Sequence, residues 1–250
     1  MRSAIIPAHN ECSTVADVVN AVRKSVDEVI VVDSCSDDNT AVYAKKAGAR
    51  VVYAKVSGKH HALKAGIKAS RGDDLVFVDA DLIDPPTDIA ERLLTPLVNG
   101  ISLVKGYYIR CEENDKFFAG RLTEICARPL LTMYMPELAH IREPLAGEFA
   151  LRRDLAVFMP FAPGFAVDLG FLINSAKFGK IAEVNLGIKV HKHRSVFDLG
   201  IASIQVATTI LGGVHSQQDV ATITQYPNGV GKKLQVDLKV LNHVYHDGVK

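Results

Sequence analysis

The chain has 250 residues, and its 29 lysines and arginines almost balance its 28 aspartates and glutamates. This balance excludes a general attraction to nucleic acids or acidic membranes, so we expect no nucleic-acid partner. The four cysteines form no C-x-x-C pair, which argues against a zinc site or a disulfide framework and favours the cytoplasm. The longest apolar stretch, residues 201–214, is shorter than the about 20 residues that a membrane span needs, so no transmembrane segment is predicted.

Strand-like and helix-like patterns alternate through the first hundred residues. Apolar or β-branched runs predict strands at residues 4–6 (closed by Pro7), 29–32, 50–54 and 75–78. Helical spacing of apolar residues predicts helices at residues 15–22, 40–47 (stopped by Gly48) and 59–70. Thr14, followed three residues later by Asp17, predicts a capping box at the start of the first helix.

The rest of the chain continues the same alternation less regularly. Further strands are predicted at residues 102–109, 145–151 and 181–190, and helices at 116–133 (interrupted near Pro129), 168–178 and 198–211. Continuous apolar strands separated by amphipathic helices indicate an α/β fold, with a mostly parallel sheet that has helices on both faces. Ligands of such sheets bind beyond the carboxyl ends of the strands.

Three polar clusters follow predicted strands at that edge. They are P-A-H-N-E at residues 7–11, D-S-C-S-D-D-N-T at 33–40 and D-A-D at 79–81. Polar loops and helix caps explain any one such cluster more simply than a ligand does. Three clusters at one edge, however, favour a binding site. If the extended backbone continues through Ala80, Asp79 and Asp81 point the same way.

The chemistry of these clusters favours a nucleotide that carries a metal ion. Two carboxylates one residue apart can hold a hard divalent cation, which neutralises a diphosphate. Asp or Asn at other strand ends can bind a ribose and a base edge. The sequences G-x-x-x-x-G-K-[ST] and G-x-G-x-x-G are absent, which argues against a P-loop ATPase or a dinucleotide-binding dehydrogenase.

Eight motifs, in order, carry a family resemblance. I-P-A-H-N-E (6–11), V-V-D-S-C-S-D-D-N-T (31–40), G-K-H-H-A-L-K-A-G (58–66) and V-D-A-D-L (78–82) resemble the nucleotide-sugar half of GT-A-type glycosyltransferases. Within that superfamily, V-K-G-Y-Y-I-R (104–110), R-E-P-L-A-G-E-F-A (142–150), G-F-A-V-D-L-G-F-L-I (164–173) and V-N-L-G-I-K-V-H-K-H-R (184–194) are similar to glucosyl-3-phosphoglycerate synthases. The resemblance implies a GT-A-type, Rossmann-like sheet with a smaller acceptor-side region.

The resemblance also implies roles for individual residues. The nucleotide sugar would contact Pro7, Ala8, Asn10, Glu11, Asp33, Ser34, Lys59, Asp79 and Ala80. Asp81 and His191 would ligate a divalent metal cofactor, Mg²⁺ or Mn²⁺. Asp168 would lie near the sugar and is a candidate catalytic residue with Glu148, and residues 145–148 would form a loop against donor and acceptor.

On the acceptor side, Arg110 matches an arginine that holds a phosphate in the family. Ala146, Gly147, Lys189 and Arg194 complete the predicted acceptor site. Lys189 stands where the family has arginine, and the two are not equivalent for paired contacts to a phosphate. His193 stands where the family has asparagine.

The predicted function is metal-dependent transfer of a hexose, with retention of configuration, from a UDP-sugar donor such as UDP-glucose to a small anionic acceptor such as 3-phosphoglycerate. Three alternatives stay open: a polyprenyl-phosphate sugar transferase, a haloacid-dehalogenase-type phosphatase and a non-catalytic sugar-nucleotide sensor. Residues 1–100 are predicted as the nucleotide-sugar half and 101–195 as the acceptor-binding, metal-completing half of one domain. Residues 196–250 are predicted as a helix and tail, and the family suggests a homodimer.

Overall fold

The computed structural model describes residues 1–109, 120–188, 196–214, 221–223 and 234–236. The strands are β1 (Arg2–Ala8), β2 (Glu28–Asp33), β3 (Arg50–Tyr53), β4 (Asp74–Phe77), β5 (Ile101–Ile109), β6 (Phe149–Arg152), β7 (Lys180–Ile188), β8 (Ala221–Ile223) and β9 (Leu234–Val236). The α-helices are α1 (Val15–Val22), α2 (Thr40–Lys46), α3 (Lys59–Ala69), α4 (Ile89–Leu94), α5 (Arg128–Tyr134), α6 (Arg153–Ala156), α7 (Val167–Ser175) and α8 (Val196–Val214). A π-helical turn spans Thr123–Ala127, and short 3₁₀ helices span Pro136–Leu138 and Gly164–Ala166.

Strands β1 to β7 form one seven-stranded sheet, and β8 pairs with β9 in a separate one. The strand order of the seven-stranded sheet is β3-β2-β1-β4-β6-β5-β7, and β6 is the strand that runs antiparallel to the others. The predicted α/β fold with a mostly parallel sheet is therefore confirmed. The chain builds outward from β1 through β2 to β3 and then returns to place β4 on the other side of β1. This reversal between β1 and β4 is a topological switch point, where ligands of such sheets bind.

Two apolar layers cover the sheet, because side chains of each buried strand alternate between its faces. On one face, Ile5 and Leu103 pack with residues of α3, α5, α7 and α8. On the other face, Ile6 and Val104 pack with residues of α1, α2 and α4. Helices on both faces are thus confirmed. Within the described part of the chain, no helix combines the length and the apolar character that crossing a membrane requires.

Two local predictions in the first loop region are wrong. Pro7 does not close β1, because the strand continues to Ala8 and Pro7 is paired in register with Val32. A single proline near the end of a strand removes at most one donor from the ladder. The Thr14 hydroxyl does not cap α1; it donates instead to the carbonyl (3.5 Å) and the carboxylate (3.3 Å) of Glu11. The hydroxyl therefore stabilises the preceding loop and not the helix.

Other elements differ from their predicted bounds. The strand predicted at 145–151 begins only at Phe149, and residues 145–148 form a loop. The predicted interruption near Pro129 is confirmed: a π-helical turn, Thr123–Ala127, ends directly before α5, in which Pro129 is the second residue. A proline clashes with the carbonyl four residues earlier in a regular α-helix, and a wider preceding turn avoids that clash. The helix α4 was not predicted, and the division of the chain at residues 100 and 195 stays a prediction.

Candidate active site

The loops that follow β1 and β2 are joined by hydrogen bonds into one wall at the carboxyl edge of the sheet. The Asn10 N–H donates to the Ser36 hydroxyl (3.0 Å), and the Asn10 side-chain oxygen accepts from the Asp37 N–H (2.8 Å). The Glu11 N–H donates to the Thr40 hydroxyl (2.8 Å). Asn10 has a φ of 58°, in the left-handed region that asparagine adopts more readily than most residues. Two predicted nucleotide-binding residues are therefore held in fixed positions.

Asp33 and Ser34 are buried in the same wall. The Ser34 N–H donates to the Ala8 carbonyl (2.8 Å), and the Ser34 hydroxyl accepts from the Gly58 N–H (3.0 Å). The Asp33 carboxylate accepts from the Ser36 N–H (2.9 Å). The first of these contacts joins the ends of β1 and β2, and the second joins β2 to the residue before α3. The wall therefore extends from the first polar cluster to the start of α3.

The first residue of α3, Lys59, lies between two carboxylates. Its ammonium group is 2.6 Å from Asp79 Oδ1 and 2.7 Å from Asp168 Oδ2. Asp79 follows β4, whereas Asp168 lies in the first turn of α7, 109 residues along the chain from Lys59. The structure thus brings together three predicted site residues from three separate segments.

Burial and neighbouring charges shift the pKa values of Lys59 and Asp168. Burial disfavours the charged form of Lys59, but the negative charges of Asp168 and Asp79 outweigh burial and raise the pKa of Lys59 above its usual range. Burial raises the pKa of Asp168, and the ammonium of Lys59 opposes that rise. Asp168 is only 4% exposed, and its Oδ1 atom is buried without a hydrogen-bond partner among the described residues. A buried acceptor oxygen of this kind can bind a ligand hydroxyl group.

The loop at residues 145–148 closes against Asp79. Gly147 packs so tightly on the Asp79 carboxylate that a Cβ atom at position 147 would overlap it. Glycine is therefore required at this position for the present geometry, because any side chain would displace the carboxylate. Ala146, predicted with Gly147 to contact the acceptor, is buried in the same loop.

A second group of carboxylates lies at the mouth of the site. Burial is the largest influence on Glu11 and raises its pKa, and the negative charge of Asp81 adds to this rise, followed by Asp38 and Asp79. The condition that the backbone stay extended through Ala80 is not met, because β4 ends earlier and the chain turns at Ala80 and Asp81. In the described ranges, no three His, Cys, Asp or Glu side chains are grouped as a metal site.

Sequence reasoning missed Lys105, a fully buried residue of β5. Its ammonium group donates to the Ala146 carbonyl (2.6 Å) and, more weakly, to the Asp168 carbonyl (3.4 Å). Burial lowers the pKa of Lys105 to about 8. One signal was available in the sequence: Lys105 interrupts an apolar run that predicts a buried strand. A lysine in such a position is rarely buried unless another group pairs with it, so a partner could have been expected.

Four predicted residues lie outside the described residues, namely Arg110 of the acceptor site, the metal ligand His191, and Lys189 and Arg194. Glu148, the second candidate catalytic residue, is described and is fully buried at the end of the loop that contains Gly147. The donor-side residues therefore lie at one edge of the sheet, and the binding and catalytic roles of all the site residues stay predictions.

The family model for glycosyl transferase family 2 matches residues 3–156, which is more than half of the chain. The chain belongs to glycosyl transferase family 2. It is 38% identical over 245 residues to the glucosyl-3-phosphoglycerate synthase of Mycolicibacterium smegmatis, a match that covers 90% of this chain and 81% of that protein. The synthase of Petrotoga mobilis is 31% identical over 84% of this chain and 72% of its own length.

A solved structure gives the same result for this glycosyltransferase. The glucosyl-3-phosphoglycerate synthase of Mycobacterium tuberculosis, in complex with Mn²⁺, UDP-glucose and phosphoglyceric acid, superposes with a TM-score of 0.83 at 36% identity. The match covers 95% of this chain and 88% of that chain. The GT-A-type fold and the resemblance to glucosyl-3-phosphoglycerate synthases are thereby confirmed, and the phosphatase alternative is set aside.

Proposed function

We propose that this glycosyltransferase transfers glucose from UDP-glucose to 3-phosphoglycerate, with retention of the anomeric configuration and with a divalent metal ion, Mg²⁺ or Mn²⁺. The relatives support this proposal, since the Mycobacterium tuberculosis synthase was crystallised with Mn²⁺, UDP-glucose and phosphoglyceric acid. The observation in this chain that carries the proposal is the contact of Lys59 with both Asp79 and Asp168 at the switch point of the sheet.

The nucleotide is proposed to bind against the wall formed by the first two polar loops. Amide, carboxylate and backbone groups in fixed positions suit a base edge and ribose hydroxyls, because orientation there depends on a few well-placed hydrogen bonds. Lys59, at the end of this wall, would face the diphosphate or the sugar. The residues assigned to the donor are Pro7, Ala8, Asn10, Glu11, Asp33, Ser34, Lys59, Asp79 and Ala80.

The carboxylates at the mouth of the site fit a hard divalent ion. Asp81 is exposed, and its negative charge contributes to the raised pKa of Glu11. A carboxylate and an imidazole suit Mn²⁺, or a Mg²⁺ that keeps several waters, and we assign Asp81 and His191 as the ligands. Bound there, the ion would neutralise the donor diphosphate and stabilise its departure.

Asp168 is proposed to orient the sugar. Its Oδ2 atom is held by the Lys59 ammonium, and its buried Oδ1 atom is available as an acceptor for a hydroxyl of the hexose. A carboxylate held in this way suits positioning better than nucleophilic attack. We therefore favour attack on the same face of the sugar, in which the leaving phosphate helps to deprotonate the acceptor. Glu148 would act from the adjoining loop, against donor and acceptor.

The acceptor is proposed to bind between that loop and the arginines of the second half. The residues assigned to it are Arg110, Ala146, Gly147, Lys189 and Arg194. Guanidinium groups suit a phosphate because their planar fork makes paired, charge-assisted hydrogen bonds. This assignment gives residues 1–100 the donor and residues 101–195 the acceptor and the second metal ligand.

The test is UDP release from UDP-glucose, with Mg²⁺ or Mn²⁺, with and without 3-phosphoglycerate, and with GDP- and ADP-sugars as competing donors. We expect release that depends on the acceptor, and an axial anomeric linkage in the product by NMR. Asp81→Ala should lower kcat/KM by about a hundredfold or more. The matched control is Asp154→Ala, which removes an exposed carboxylate that follows antiparallel β6, at the opposite edge of the sheet.

Each contrary outcome has a definite meaning. Release of UDP that ignores 3-phosphoglycerate would reject the acceptor but keep the donor. Product with an equatorial linkage would reject retention. Nucleotide binding without turnover of any sugar nucleotide would reject the synthase and favour a sugar-nucleotide sensor.

A further inference from the structure

The strand β5 has a lysine on a face that is otherwise apolar. Lys105 follows Leu103 by two residues, so both side chains lie on the same face of the sheet, and Leu103 belongs to the core packed under α7. Lys105 is fully buried and is paired across the strands with Phe149, whose ring centre lies 5.2 Å from its ammonium group. A buried ammonium group is costly, since burial disfavours its charge, and a leucine would fill such a position without that cost.

The hydrogen bonds of Lys105 join two segments that are distant in sequence. One acceptor is the carbonyl of Ala146, in the loop at residues 145–148, at 2.6 Å. The other is the carbonyl of Asp168, in the first turn of α7, at 3.4 Å. The ammonium group therefore ties the loop to the start of the helix from beneath.

Both of these segments contact the ionic cluster of the active site. The residue after Ala146 is Gly147, which packs on the Asp79 carboxylate. Asp168 itself binds Lys59 through its side chain. A shift of either carbonyl would therefore move a carboxylate that contacts Lys59, and interiors packed at this density transmit such shifts.

We propose that Lys105 is a positioning residue of the transferase reaction, which holds the loop at residues 145–148 and the start of α7 in the relation that places Asp79 and Asp168. The effect on kcat that we expect rests on the proposed function. Lys105 has no exposed surface and acts through Ala146 and Asp168, so it does not contact substrate. Burial lowers the pKa of Lys105 to about 8, although the negative charges of Asp168 and Glu148 oppose this shift. The charged form of Lys105 is therefore less favourable in the folded protein than in water.

The first test is Lys105→Met, which keeps the length and apolar character of the side chain but removes the donor. We expect kcat to fall by about ten- to a hundredfold, because small displacements of reacting groups cost that much. The Kd for UDP should rise by a much smaller factor than kcat falls, since most of the nucleotide wall lies in the loops after β1 and β2, and the loop at residues 145–148 contacts the donor site at Asp79. The matched control, Lys180→Met, removes an exposed lysine at the start of β7 and should change neither value. A purely structural role would lower the melting temperature without separating kcat from Kd.

The second test is a double-mutant cycle with Gly147→Ala, whose Cβ would displace the same loop from the Asp79 side. If Lys105 acts through this loop, the effects of the two changes on kcat and on the free energy of unfolding should be non-additive. The unfolding cycle uses no activity, so it tests the proposal even where wild-type turnover fails and the proposed function falls.

Three outcomes overturn the proposal: wild-type kcat in Lys105→Met, fully additive effects in the cycle, or equal losses in kcat and UDP affinity. If Lys105→Met does not fold, the same measurements apply to Lys105→Gln, which keeps an N–H donor without the charge. If neither variant folds, Lys105 is required for folding itself, and the positioning role is rejected.

Discussion

Two lysines, the half-buried Lys59 and the fully buried Lys105, show opposite electrostatic behaviour. Lys59, at the start of α3, lies within 2.7 Å of two carboxylates, and their charges raise its pKa. Lys105, in β5, donates to backbone carbonyls, and burial lowers its pKa to about 8. The ammonium of Lys59 thus contacts carboxylates directly, whereas that of Lys105 donates to peptide carbonyls and feels the charges of Asp168 and Glu148 without a hydrogen bond to either carboxylate. Burial lowers the pKa of both side chains, and only at Lys59 do carboxylates at hydrogen-bond distance outweigh it.

The difference matters because the two lysines share a neighbour. Asp168 binds Lys59 through its side chain and Lys105 through its carbonyl, so the polar site and the apolar core meet at one residue. Lys59 sets the charge of the site, and Lys105, as we propose, sets its geometry. Two measurements would break or sharpen this comparison, and a third tests a polar contact outside it.

The largest effect is expected from Lys59→Met. Without the ammonium group, Asp79 and Asp168 lose the cation that both contact, and removing one partner of a mostly buried ion pair costs about 2 kcal/mol or more of unfolding free energy. We expect kcat/KM for UDP-sugar turnover to fall by about a hundredfold or more. Urea unfolding and steady-state kinetics measure both effects. Lys64→Met, an exposed position on the same helix, is the control, and equal behaviour of the two variants would contradict the charge role of Lys59.

An intermediate effect is expected in the pH dependence of stability. The pKa of Lys105 is about 8 in the folded protein, against 10.5 for an unperturbed lysine. Between these values the unfolded chain binds more protons than the folded chain, so this residue makes stability rise as pH rises from about 8 to about 10.5. Below pH 8 its unfavourable contribution is complete.

The measurement is urea unfolding of wild type and Lys105→Met from pH 7.5 to 10.5. The difference in unfolding free energy between the two proteins should be constant at the lower end and should move in favour of wild type as pH rises. A difference that stays flat across the whole range would mean that the ammonium of Lys105 is not destabilised by burial. Lys59 should contribute no such rise, because its pKa is shifted in the opposite direction.

The smallest effect is expected from Thr14→Ala, a change at a polar side chain whose contacts are local. A hydroxyl that caps a helix is typically worth about 1 kcal/mol, but that of Thr14 makes only long contacts to Glu11. We therefore expect a loss of less than about 0.5 kcal/mol in unfolding free energy and no change in kcat. A loss of 1 kcal/mol or more would restore the capping box that the structure argues against.

Sequence by itself determined most of the first half of the molecule. Apolar runs and helical spacing fixed the order of β1 to β4 and α1 to α3, because these patterns record which side of each element is buried. The rule that ligands bind at the carboxyl ends of parallel strands then directed attention to the loops that contain Asn10, Asp33 and Asp79. The family motifs added Lys59 and Asp168, although the distance between them in the chain gave no sign of their contact.

Only the tertiary structure decided which distant segments meet. The insertion of antiparallel β6 between β4 and β5 depends on contacts between residues far apart in the chain, and periodicity does not record a strand's neighbour. The close approach of Gly147 to Asp79 and the burial of Lys105 follow from that arrangement. The pattern of apolar residues in a segment indicates which side of that one element is buried. The geometry of a site formed by several elements depends on how those elements pack together.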